Sequence, residues 1–187
     1  MKKLLIVIGV VVVLGLIIFG WLSGTYNNFV KLSQEVDSQW AQVENVYQRR
    51  ADLVPNLVET VKGGMAQEQK VFSEIAQART KYAGATTTSE KAVAAGELEG
   101  ALSRLLVIME NYPQLKSLDT VRDLMTQLEG TENRIAVERR RYNEVAKEYN
   151  TAIKGFISRF LAGAFGFEPK PYFEAQPGAE QAPKVQF

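Results

Sequence analysis

Three charged residues stand where the apolar rhythm of two long helices calls for hydrophobic ones. Arg50 interrupts the series Val36, Trp40, Val43, Tyr47, Val54, Leu57 and Val61. Glu132 and Arg139 interrupt a second series, which runs from Val121 through Met125, Leu128, Ile135, Tyr142, Ala146, Tyr149, Ile153 and Phe156 to Phe160. Steps of three, four and seven mark the buried seam of a packed helix. Guanidinium and carboxylate groups on such seams allow two chemistries. One is a charged pocket for an anionic or peptide ligand. The other, favoured here, is an internal layer of salt bridges that fixes helix register, the best-attested use of buried charge. Asn56, Asn133, Asn143 and Asn150 can extend that layer and satisfy backbone groups freed at Pro55.

Composition removes most catalytic alternatives. The 187 residues include no histidine and no cysteine, so the commonest general base, the commonest transition-metal ligand and the thiol nucleophile are all missing. No Glu-x-x-His pair, phosphate-binding Gly-rich loop or Gly-x-Ser-x-Gly elbow occurs, which excludes the usual forms of those sites. Glu132 and Glu138, six residues apart, face differently on a helix and form no carboxylate dyad. The run Arg139-Arg140-Arg141 is flanked by Glu138 and Glu144 and reads as a solvated helix face. A formal net charge of +1 argues against nucleic acid as a partner. The sequence therefore predicts no enzyme, no cofactor and no metal.

The elements that carry these residues can be read in order. Met1-Lys2-Lys3 precedes an uncharged stretch over residues 4–22, which as a helix spans roughly 28 Å, about one bilayer core. Residues 1–24 are read as an uncleaved transmembrane anchor, with Trp21 and Tyr26 in the interfacial belt. The two lysines before the span place the N-terminus in the cytoplasm and the rest of the chain outside the inner membrane. Gly20 and Gly24 have the spacing of a helix-pairing motif. Residues 25–167 are predicted to form an all-α, up-and-down antiparallel bundle of three to four long helices. Pro55 is expected to kink the first helix, and Gly63-Gly64 to bend it or, preferably, end it. Further helices are predicted from Met65 to about Tyr82, from an N-cap at Ser89 to about Asn111, and from about Leu118 to Phe160. Gly130 within the last is read as a close helix contact. Four of the six prolines fall in residues 168–187, an extended or disordered tail.

Several segments carry a family resemblance: Arg49-Arg50-Ala51-Asp52-Leu53-Val54-Pro55-Asn56-Leu57-Val58-Glu59-Thr60-Val61-Lys62-Gly63-Gly64, Glu110-Asn111-Tyr112-Pro113-Gln114-Leu115-Lys116, Leu128-Glu129-Gly130-Thr131-Glu132-Asn133-Arg134-Ile135, Arg141-Tyr142-Asn143, Tyr149-Asn150, Phe165-Gly166-Phe167 and the terminal Pro183-Lys184-Val185-Gln186-Phe187. In order and content they resemble the LemA family, bacterial proteins with one N-terminal membrane helix and a helical domain. Ile157 stands where that family has a proline after Phe156, and Gln186 where an acidic residue is common. The resemblance implies a fold and a membrane anchor, and no settled molecular activity.

The function expected is a non-enzymatic, membrane-anchored scaffold of the bacterial envelope. Its partners would be the lipid bilayer, further copies of itself and other envelope proteins. The alternative is a sensor that binds a peptide or ligand in the layer of Arg50, Glu132, Arg139, Asn56 and Asn133. The C-terminal Val185 and Phe187 suit capture by a PDZ-containing protease, which adds such a terminus as an edge strand; the competing expectation is that Tyr172, Phe173 and Phe187 fold back on the bundle.

Overall fold

The computed structural model describes residues 2–174, and side chains from residue 3 onward. Every regular element among them is helical: α1 Lys2–Lys62, α2 Gln69–Gly84, α3 Thr88–Ile108, α4 Pro113–Lys116, α5 Asp119–Lys154 and α6 Ser158–Phe165, with a 3-10 turn at Met109–Asn111. The chain divides into two compact units. One comprises Met1–Gln39 and Arg139–Phe187, the other Trp40–Glu138; α1 and α5 contribute to both.

In the Trp40–Glu138 unit the seam of α1 is buried as its spacing requires. Val43, Val54, Leu57 and Val61 are fully enclosed, and Tyr47 and Ala51 nearly so. Pro55 lies inside α1 without ending it. An interior proline costs about 3 kcal/mol, whereas burying each of Val54, Leu57 and Val61 contributes roughly 1.5–3 kcal/mol, so the flanking core carries the helix through. The glycine pair does end it. Gly64 N–H and Met65 N–H both bond the carbonyl of Val61. A Cβ on Gly64 would lie 2.6 Å from Leu115 Cδ2, so a side chain there would require Leu115 to shift.

Helices α2 and α3 pack on each other; their buried residues include Val71, Phe72, Ile75, Ala78 and Tyr82 on α2 and Ala94, Leu98, Ala101, Leu102 and Leu105 on α3. The N-cap of α3 is Thr87, two residues before the expected Ser89. Thr87 Oγ1 accepts from Glu90 N–H, and the Glu90 carboxylate accepts from Thr87 N–H in return. Only Thr87 has a carboxylate three residues on, and that reciprocal pair outweighs a lone serine cap. The backbone N–H groups of Thr86 and Thr87 hold the Glu90 carboxyl below the ordinary glutamate range.

Two expectations for α5 are corrected. Gly130 is exposed, and a Cβ there would meet no atom within 4 Å, so it marks no close helix contact. The helix stops at Lys154 rather than Phe160. Gly155, a poor helix former, breaks it, and Phe156 and Phe160 emerge 79% and 64% exposed instead of extending the seam. The seam is buried only as far as Ile153.

In the other unit, residues 4–19 of α1 touch little else and every one is exposed. Near its N-terminus α1 is long and apolar enough, by length and composition, to cross a membrane. The same helix continues without a break to Phe29 and Val36, each 1% exposed. The buried partners of this unit on α5 and α6 are Tyr142, Ala146, Tyr149, Ile153 and Ala162.

Candidate functional site

The charged layer assembles inside the Trp40–Glu138 unit. Arg50 follows from α1 on the same face as Tyr47 and Val54, three and four residues away, and is 6% exposed. Its Nη2 donates to Glu132 Oε2. Its Nη1 lies 4.0 Å from Glu99 Oε2 on α3. Arg50 Nε and Nη1 are buried and hydrogen-bond to no described protein atom. The carboxylates sit nearer solvent, with side-chain exposures of 17% for Glu99 and 45% for Glu132. These groups line a cavity of about 260 Å³ whose wall is otherwise Leu102, Ser103, Leu106, Met125, Leu128 and Glu129. A cavity of that size admits water, which can accept from the two remaining donors.

Three carboxylates against one guanidinium make the mouth acidic. The arrangement repels an anion, the ligand that an inward-facing arginine first suggests. It can neutralise Arg50 within the helical unit or receive a small cation.

The other expected members of the layer lie elsewhere. Asn56 is exposed, one residue off the buried stripe, and its carbonyl accepts from Thr60 Oγ1. Asn133 is exposed beside Glu132. One residue turns a helix by about 100°, enough to carry each out of the seam. Arg139 belongs to the other unit, where its guanidinium lies 5.5 Å from the centre of the Phe173 ring. Glu99 was not expected. Its only signal in the sequence is a charge beside the apolar face formed by Leu98 and Leu102.

Asn143 and Asn150 form a second constellation, within the unit of Met1–Gln39 and Arg139–Phe187. Asn150 Nδ2 donates to the Lys170 carbonyl and its Oδ1 accepts from Lys170 N–H, both at 2.8 Å. Asn143 brackets Phe173 in the same way, again at 2.8 Å. Tyr149 donates its hydroxyl to the Glu168 carbonyl at 3.0 Å, and Lys170 Nζ pairs with Asp37. Seven residues of helix advance about 10.5 Å, and three of extended chain about 10 Å. Two asparagines a heptad apart therefore meet backbone groups three residues apart on a strand running the other way. Each amide matches both the N–H and the C=O of one residue, as a neighbouring strand would. Phe173 completes the attachment with its ring edge-to-face on Tyr142 at 5.2 Å. Residues 168–174 are thus extended and fastened to α5. Burial and the negative charge of Asp37 push the phenols of Tyr142 and Tyr149 upward. The signal was present as a Tyr-Asn dipeptide repeated at 142–143 and 149–150. Val185 and Phe187 lie outside the described residues.

An apolar N-terminal helix joined to an all-helical body, with an arginine–glutamate layer and an asparagine-clamped tail, defines a class of membrane-associated helical protein. The family model described as LemA family matches residues 39–187; the chain belongs to the LemA family. It is also similar to proteins named Magnetosome protein MamQ 2 and Magnetosome protein MamQ 1 of Paramagnetospirillum magneticum, each 31% identical, and to Magnetosome protein MamQ of Magnetospirillum gryphiswaldense, 30% identical. Each alignment covers 83% of this chain and 66% of the relative, so the chain spans just under two thirds of the length of these relatives.

Proposed function

We propose that this protein is a non-catalytic scaffold of the bacterial envelope, anchored by residues 4–22, with its N-terminus cytoplasmic and its helical part outside the inner membrane. It works by association with itself or with other envelope proteins, and its long helices run up and down as an antiparallel bundle. One observation carries this reading. The apolar segment and the buried residues Phe29 and Val36 share one unbroken helix. The anchor is therefore continuous with the core of its unit rather than attached through a flexible linker. A catalytic role would need reactive side chains, and a chain with neither histidine nor cysteine has few to offer. The relatives named magnetosome proteins support a bacterial setting for the shared part of the chain and carry the proposal no further.

Light scattering coupled to size exclusion on the detergent-solubilised full chain tests self-association. Particles of more than one chain are expected, and a monomer at every concentration would remove that half of the proposal. A second reading, favoured by the acidic cavity at Arg50, is a sensor for a small cation. It ranks lower because the cavity, at about 260 Å³, falls below the roughly 300–1,000 Å³ of ordinary ligand sites. Saturable binding of a small polyamine by calorimetry, lost in Glu129→Gln, would promote it.

A further inference from the structure

We infer that α6 and the turn before it form an interfacial membrane contact, seated at the headgroup boundary of the leaflet from which the N-terminal span emerges. The inference rests on the anchor reading above and adds a second lipid-binding element to it.

The segment exposes more apolar surface than a solvated turn needs. Within ten residues Phe156, Ile157, Phe160 and Phe165 are 79%, 54%, 64% and 51% exposed. A contiguous exposed patch of that kind marks an interaction surface. Its depth is set by the aromatic contacts at its far end. Tyr26 meets Phe165 edge-to-face at 5.1 Å and Phe167 at 5.7 Å, and Phe167 meets the buried Phe29 at 5.4 Å. Tyr26 lies four residues beyond Leu22 on the same helix, about 6 Å further along its axis. The headgroup layer on each side of a bilayer is roughly 5–7 Å thick. Phe165 is thereby held at headgroup depth when residues 4–22 fill the hydrocarbon core.

The charge of the segment matches the same occupant. Its one ionisable side chain from Phe156 to Phe165 is Arg159, whose guanidinium lies 5.6 Å from the Phe156 ring centre and 4.8 Å from that of Phe160. A cation over two exposed aromatic rings suits a boundary where phosphate lies above and acyl chain below. No carboxylate in α6 opposes it. A cleft in a soluble partner would need a complementary acid, and nothing about the segment specifies one. The bilayer is already present at this height.

Because the chain has no cysteine, single cysteines can report depth directly. Full-length Phe156→Cys, Phe160→Cys, Val12→Cys and Glu148→Cys variants are labelled with an environment-sensitive fluorophore and reconstituted in phosphatidylcholine–phosphatidylglycerol vesicles. Some vesicles contain lipid with a nitroxide near the top of the acyl chain, others with a nitroxide near its end. Labels at 156 and 160 should be blue-shifted and quenched several-fold more strongly by the shallow nitroxide than the label at 148, and the label at 12 by the deep one. Water-exposed labels at 156 and 160 together with a lipid-quenched label at 12 would overturn the interfacial contact and leave the anchor standing. An unquenched label at 12 would remove the anchor, and the contact with it. Shielding at 156 and 160 that disappears as lipid-to-protein ratio rises would assign the patch to a second copy and also overturn the proposal.

Discussion

Arg50 is the residue whose environment most constrains its role. It is almost fully enclosed, while Glu132, its hydrogen-bonding partner, reaches solvent. Removing the two ends of the pair should therefore have unequal effects. Glu132→Ala leaves the buried guanidinium without its hydrogen-bonded partner and with Glu99 at 4.0 Å; because Glu132 is itself 45% exposed, the cost should be roughly 1–3 kcal/mol. The double change Arg50→Met/Glu132→Leu removes both charges and should recover most of that loss. Thermal unfolding in detergent measures both; a Glu132→Ala protein as stable as the parent would mean that Arg50 is solvated after all. The asparagine clamp gives a second expectation. Asn150→Ala removes both bonds to Lys170 and should weaken attachment of the 168–174 segment by roughly 1–3 kcal/mol, the net value of two hydrogen bonds. Hydrogen exchange at Lys170 N–H should accelerate accordingly, with exchange at Leu102 and Leu105 unchanged. Equal protection in parent and variant would show that Phe173 packing alone holds the segment.

Among the elements, α5 offers the most direct stabilisation. Gly130 lies exposed in mid-helix with helical backbone and open space where a Cβ would stand. Gly130→Ala should raise stability by about 0.5–1 kcal/mol through the entropy of the unfolded chain; a lower melting temperature would reveal a contact made with another molecule. The packing of α2 near α1 predicts a pH effect. Tyr82 is 5% exposed, and burial, with Glu44, Tyr47 and Asp52 nearby, pushes its phenol up to about 12. Its contribution is complete below pH ~10, the unfolded value. Above that the unfolded chain sheds this proton first, so stability falls with rising pH and the contribution is gone by about pH 12. Tyr82→Phe, which has no phenolic proton, should flatten the decline of melting temperature across that window. Identical slopes for the two proteins would refute the assignment.

For the molecule as a whole the testable claim is its orientation. Lys2 and Lys3 precede the span and the first charge after it is Lys31, the asymmetry on which the proposed cytoplasmic N-terminus rests. A membrane-impermeant maleimide added to intact cells stripped of their outer membrane should label Glu148→Cys without detergent. Labelling only after lysis would reverse the topology and place the α6 segment at the inner leaflet.

Periodicity determined a great deal about this protein. A packed side chain must recur every third or fourth residue whatever it packs against, so the seams of α1 and α5 and the faces of α2 and α3 were legible without a partner, as was the apolar segment at residues 4–22. Arg50 and Glu132 were legible for the same reason, because a charge on a stripe stands out. What the stripe lacks is any record of which stripe it meets. Glu99, drawn to Arg50 across 49 positions of sequence, became visible only when α3 was placed. Arg139 shares the seam register of Glu132 but serves Phe173, since a seam seven residues further along α5 meets a different neighbour. The end of α5 at Lys154 was hidden by apolar residues that continue the period beyond Gly155, since a period records apolar side chains and not whether they are buried. The two Tyr-Asn dipeptides were in plain view as a heptad repeat. Their use as clamps followed only from the fold, because 10.5 Å of helix matches 10 Å of extended chain only once the tail has returned along α5.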